Sequence, residues 1–210
     1  MRHLSITFAC CFLLIGAFAS AQAAPDAPSA AAQKTESPIT REQRLHWFVR
    51  STVGPESLGG GLFTAAIGTA RDKPVEYGPH WGGFASRYGM RLTGVATGNA
   101  MEAGLGSLWG EDPRYFRAAR GTPLKGRIEN VVLMTFAARG TDGNLMPAYA
   151  RYIATSGNNF LSNTWRADSE ATNKAAALRI MWGFIGRMGG NAFKEFWPTA
   201  KRHIFHHAAD

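Results

Sequence analysis

Between residues 81 and 110 nearly every third or fourth position is small: Gly82, Ser86, Gly89, Thr93, Ala96, Ala100, Ala103, Ser107 and Gly110. Gaps alternating between four and three trace one face of an α-helix. A face made only of small side chains lets a second helix approach closely. Phe84, Tyr88, Leu92 and Val95 lie opposite and are expected in the core. Continued, that opposite face meets Asn99 and Glu102, so a row that begins as core ends on a carboxylate.

The remaining pattern is also helical. Residues 41–53 predict a short helix with Leu45, Phe48 and Val49 on one side, stopped by Gly54-Pro55. Residues 57–71 predict a second, with Leu62, Phe63, Ala66, Ile67 and Ala70 inward and Asp72-Lys73-Pro74 as its end. Tyr77-Gly78-Pro79 is a turn into the central helix, and the step from Asp112 to Pro113 breaks the chain after it. Residues 124–139 read as a helix with Ile128, Val131, Val132, Thr135 and Phe136 inward. After a turn-rich loop at 139–144, helical spacing resumes over 145–163, with Pro147 suited to its first turn. The cluster Ser156-Gly157-Asn158-Asn159 marks a break, a kink or the edge of a polar pocket. Asp168 is placed to cap a last long helix, with Glu170 in its first turn. That helix carries Leu178, Met181, Trp182, Ile185 and Met188 and a second small seam at Gly183, Gly186 and Gly190. The two seams are expected to pack on each other, and Phe193, Phe196 and Trp197 to close the core before Pro198.

Composition sets the address. The chain opens MRHLSITFACCFLLIGAFASAQAAP, with Arg2 before an apolar core and small residues after it. Ala21-Gln22-Ala23 fits the small-x-small rule, so residues 1–23 read as a signal peptide. The apolar run is short for a span of ~20 residues. Cleavage removes Cys10 and Cys11, leaving the mature chain no disulfide and no thiol nucleophile. Residues 24–40 are rich in Ala, Pro and Ser and read as a disordered linker; residues 206–210 form a tail. The stretch between, 41–205, is long enough for one core and short for two. Beyond the leader no apolar run reaches spanning length.

Seventeen arginines and six lysines face fifteen acids, and loss of Arg2 leaves a mature balance of +7. Arginine favours bidentate contact with phosphate or carboxylate. An exported basic protein meets anionic lipid or envelope polymer before it meets nucleic acid. Arg114, Arg117, Arg120 and Arg127, set around Tyr115 and Phe116, form a candidate anion clasp.

Catalytic signatures are scarce. The chain carries no Walker loop, no G-x-S-x-G elbow, no H-E-x-x-H and no E-x-x-H pair. His203, His206 and His207 read as a solvated end, so neither a metal nor a cofactor is expected. Glu102, supported by Asn99 and Asp112, is the candidate general base of a hydrolase, a role that needs a concave pocket around it. Twenty-four glycines in a helical chain demand an offset, since each costs ~1 kcal/mol against alanine within a helix. Close helix packing and insertion into a membrane interface are the two candidates.

Four motifs recur in order: W-x-x-F-x-x-R-Y-G from Trp81, E-D-P-R-Y-F from Glu111, F-A-A-R-G-T-D-G from Phe136 and K-E-F-W-P from Lys194. Together they resemble an uncharacterised family of exported proteins of Gram-negative soil bacteria. The resemblance covers roughly residues 75–200 and implies secretion and a shared fold, with no catalytic residue to transfer. The expectation is an all-α, single-domain bundle of about six glycine- and alanine-rich helices. Its leading function is that of a non-enzymatic envelope protein at the periplasmic face of a membrane, binding anionic lipid or polymer through arginines. The alternatives are a periplasmic hydrolase and a structural partner of another envelope protein, which would expose a large apolar patch.

Overall fold

The structure is a computed structural model that describes residues 38–206, with side chains as far as residue 201. The signal peptide and most of the linker expected from the sequence lie outside the described residues, as does the tail. Helix α1 (Arg41–Val53) opens with a capping box in which Thr40 and Gln43 exchange side-chain-to-backbone bonds. Gly54 ends α1 and opens α2 (Pro55–Ala70), whose first residue is proline, where a missing N–H costs nothing. The central helix α3 (Trp81–Trp109) runs for 29 residues, about 43 Å, and ends on Gly110 in the left-handed conformation.

Helix α4 (Leu124–Phe136) stops earlier than its pattern predicts. Ala137–Arg139 forms strand β1, which pairs antiparallel with β2 (Leu145–Pro147) in a small hairpin. The turn explains the difference: Asp142 accepts from the Asn144 N–H, Gly140 bonds Asn144, and Gly143 supplies a positive φ of 79°. Pro147 therefore ends a strand rather than starting a helix. Helix α5 (Tyr149–Leu161) follows, and α6 (Asn173–His206) completes the chain. Thr172, not Asp168, accepts a bond from the Ala175 N–H at the start of α6, and the helix continues through Pro198. The class is all-α, as the pattern predicts. Helix α3 packs on α1, α2 and α5, while α6 packs on α4 and α5.

Which faces are buried is the main surprise. Helix α2 turns Gly61 and Ala65 inward and leaves Leu62, Phe63, Ala66, Ile67 and Ala70 exposed, the reverse of the expectation. Ile128 and Val132 of α4 and Phe193 and Trp197 of α6 also face out. On α3 the predicted small seam is mostly exposed, and a Cβ added at Gly82 or Gly89 would meet nothing. The packed face is instead Gly83, Arg87, Gly94, Glu102 and Gly106. Gly186 and Gly190 of α6 likewise face open space, so the two seams do not meet. The buried apolar residues are mainly alanines with Val131 and Met134. Among the described residues, the largest side chains fully shielded from solvent are Arg151, Glu195, Thr135 and Ser162. The reason is pairing: a helix face that carries charges can be buried when those charges find partners on the next helix.

Candidate functional site: a buried ionic interior and an arginine-lined cleft

Glu102 is the hub of the interior. Gly98, one turn before it on α3, lies against Asn158 of α5, and α5 and α6 deliver two guanidinium groups to the single carboxylate. Arg151 Nε donates to Glu102 Oε1 at 3.0 Å, and Arg187 donates to Oε2. Arg151 spends a second nitrogen on the carbonyl oxygens of Met134, Thr135 and Ala137, which pins the end of α4 and the start of β1. Burial pulls the Arg151 pKa down, and the nearby Arg187 adds to this, while Glu102 opposes both. Asn191 on α6 donates to the Thr135 hydroxyl at 3.1 Å, adding a neutral tie beside the charged one.

The loop after α3 carries the second part of the network. Glu111 accepts the Ala150 N–H with both oxygens, at 3.1 and 3.0 Å. Ala150 lies in the first turn of α5, whose own N-cap, Ala148, has no side chain to offer, so a carboxylate from a distant loop does the capping. Burial raises the Glu111 pKa, with the Ala150 N–H opposing. Asp112 holds Arg114 in a two-oxygen grip, and its own N–H bonds the Arg139 carbonyl at 2.8 Å. Tyr115 donates to Glu195 at 2.7 Å, and Glu195 also takes bonds from Arg127 Nε at 2.9 Å and the Ala118 N–H at 3.2 Å. Burial alone would raise the Glu195 pKa; the bonds from Arg127, Tyr115 and Ala118 overcome it and hold the carboxyl below its ordinary value. The Tyr115 phenol is pushed well up, first by burial and then by its bond to Glu195. Arg127 lies over the Phe196 ring at 4.5 Å.

Arg87 repeats the logic at the other end of α3. It donates to the carbonyls of Lys73, Pro74 and Gly78 and pairs with Asp72 at 3.3 Å, fixing the 72–78 turn against the helix. Gly83 is required there, since a Cβ would sit 2.0 Å from the Gly78 oxygen.

Between α2, α3, α5 and α6 the structure leaves a cleft of about 630 Å³. Arg91, Arg166, Arg179 and Arg187 line it, with Glu102, Glu170 and Trp182. A second cavity, of about 620 Å³, lies between the 117–122 loop and the Pro198 turn of α6 and is lined by Arg117, Arg120, Arg127 and Glu195.

The sequence-derived candidates separate. Glu102 and Asn99 do share the first cleft, but Asn99 donates to Thr52 at 3.1 Å and Asp112 does not line that cleft. Both Glu102 oxygens already accept charge-assisted bonds, so the group is built to hold helices together. Of the proposed anion clasp, Arg114 and Arg127 are bound to Asp112 and Glu195, and Arg117 and Arg120 are exposed. Arg87, Arg91, Arg151, Arg179, Arg187, Glu111 and Glu195 were not singled out from the sequence as site residues, since their partners lie on other elements. Among the described residues no group of three or more His, Cys, Asp or Glu is placed to hold a metal ion. Searches of family models, curated proteins and solved structures gave no match to this chain.

Proposed function

We propose that this protein is an exported, non-enzymatic helical bundle of the cell envelope that seats its apolar exterior in a lipid membrane. One observation carries the reading: the bundle buries charged side chains among alanines and leaves large apolar ones exposed. Trp81, Leu108 and Phe63 are 83%, 77% and 67% exposed, while Arg151 and Glu195 are 2% and 1% exposed. The exposed apolar residues form stripes along the helices. Examples are Leu45, Val49 and Val53 on α1, Leu124, Ile128 and Val132 on α4, and Leu178, Met181, Trp182 and Ile185 on α6. A protein partner would cover one patch, whereas lipid covers a surface shared by every helix. Trp81 and Trp109 stand at the two ends of α3, the amphipathic residue type favoured where lipid meets water. Among the described residues no helix is long and apolar enough to cross a membrane, so contact is through helix faces. The exposed Arg117 and Arg120 serve as the contact with anionic headgroups.

Vesicle flotation of the chain tests this, with neutral and anionic lipid at two salt concentrations. Flotation with both lipids that resists salt is expected, with a modest anionic preference that salt removes. Phe63→Glu and Trp182→Glu together should send the protein to the aqueous fraction. A wild-type chain that stays in the aqueous fraction with either lipid refutes the reading. If it then runs as a defined oligomer, the exterior covers itself with further copies.

A further inference from the structure

The cleft between α2, α3, α5 and α6 holds more positive charge than its own carboxylates balance. Six cations line it: Lys73, Arg87, Arg91, Arg166, Arg179 and Arg187. Its lining carboxylates are Glu102 and Glu170. Arg87 is matched by Asp72 and Arg166 by Glu170, at 3.3 and 3.0 Å. Arg187 must share Glu102 with Arg151. Among the described residues Arg179 donates to neutral oxygens, those of Asn159, Asn163 and Glu170's backbone carbonyl. Arg91 donates one bond among them, to the Ser57 carbonyl at 3.0 Å. Burial lowers the pKa of both Arg91 and Arg179; for Arg179 the neighbouring Arg166 adds to this and Glu170 opposes it.

We propose that this cleft is a binding site for a phosphate group, free or at the head of a lipid, with Arg91 as its principal ligand and Arg179 as a second positive charge in the lining. A guanidinium presents N–H donors in a fork that matches phosphate oxygens; Arg91 spends one bond on Ser57, whereas Arg179 already makes four to protein oxygens. Asn158 of α5 lies against Gly98 and donates to the Gly94 carbonyl at 2.9 Å, which closes the wall of the cleft between α3 and α5. Trp182, 62% exposed, stands at the cleft as an apolar surface for whatever the phosphate is attached to. The volume suits a small ligand or a headgroup. The site is separate from Arg117 and Arg120 and stands whether or not the exterior meets lipid.

Calorimetric titration of the full chain tests it, with inorganic phosphate in one arm and monomeric dihexanoylphosphatidic acid in the other. Saturable binding in either arm is expected, weakened roughly tenfold by Arg91→Gln and less by Arg91→Lys, which keeps the charge but loses the fork. Lys125→Gln, at an exposed cation outside the cleft, should bind like the wild type. Tighter binding of the phosphatidic acid assigns the site to a lipid headgroup, and equal binding assigns it to free phosphate. Circular dichroism confirms that each variant is folded; Arg91 makes only one bond, so its loss leaves the bundle intact. No saturable binding in either arm overturns the proposal, as does Arg91→Gln binding as tightly as the wild type.

Discussion

Glu195→Gln puts the buried network to its sharpest test. Glu195 is shielded from solvent and takes bonds from Tyr115, Arg127 and Ala118, so it ties the 110–123 loop and α4 to α6. Glutamine keeps the shape and one acceptor but removes the charge that faces Arg127. Breaking a buried pair by deleting one partner costs about 3–5 kcal/mol. Arg127 retains some access to water, with its side chain 18% exposed, and the amide oxygen still accepts one bond, so about 2–4 kcal/mol is expected here. For a chain of this size that lowers the melting temperature by roughly 5–15 °C. The sign of the pH dependence follows from the depressed pKa of Glu195. The charge stabilises the fold fully above the unfolded value near 4.5, and this contribution disappears as pH falls through the folded value. Thermal melts followed by circular dichroism from pH 7 to pH 3 should therefore show a gap between wild type and variant that closes at acid pH. No gap at pH 7, or one that persists undiminished at pH 3, would refute the idea that a paired charge holds this junction.

Three further outcomes follow from the same geometry. Gly83→Ala should destabilise the fold by about 3 kcal/mol or more in urea melts, because its Cβ would strike backbone oxygens at 2.0 and 2.4 Å. Gly89→Ala should stabilise by about 0.5–1 kcal/mol, its Cβ meeting nothing; equal effects of the two would mean the faces of α3 are wrongly assigned. Glu102→Gln should cost about 3–5 kcal/mol by leaving Arg151 and Arg187 together without a carboxylate, and an unchanged urea midpoint would remove Glu102 from the hub. Glu111→Gln should show the opposite pH trend to Glu195→Gln. The Glu111 pKa is raised, so its contribution is full below the unfolded value and is lost as pH rises through the folded one. Wild type should therefore gain stability relative to the variant as pH falls, and a wild type that loses ground to the variant there contradicts the placement.

The helices were legible because their signals are local. The stop at Gly54-Pro55, the break at Asp112-Pro113 and the spacing of α3 each act within a turn or two, whereas Thr40, which caps α1 together with Gln43, sits at the end of the linker expected from the sequence. The hairpin was missed because Ala137 and Ala138 suit a helix, and only pairing with Met146 and Pro147 makes them a strand. The inward faces were misjudged for a deeper reason. Periodicity identifies two faces of a helix and then assigns the larger apolar side chains to the core, an assumption that holds when water is the surroundings. Glu102 stood out as a carboxylate in phase with core residues, yet its partners Arg151 and Arg187 lie 49 and 85 positions away, beyond any local pattern.

Three of the four motifs that run through the chain have one physical job in common. Arg87 of the first fastens a turn to α3, Glu111 and Asp112 of the second fasten a loop to α5 and β1, and Glu195 of the last fastens that loop to α6. Each lies at a junction between elements, and each is polar. Buried pairs of this kind specify a geometry but add little net stability over apolar packing. The burial of large apolar side chains that stabilises a domain in water is small here, with Phe63, Trp81 and Leu108 left outside. A bundle so built is held in register from within. Under the proposed function lipid would cover the exposed apolar faces of all helices at once, which makes salt-resistant flotation the observation on which that proposal turns.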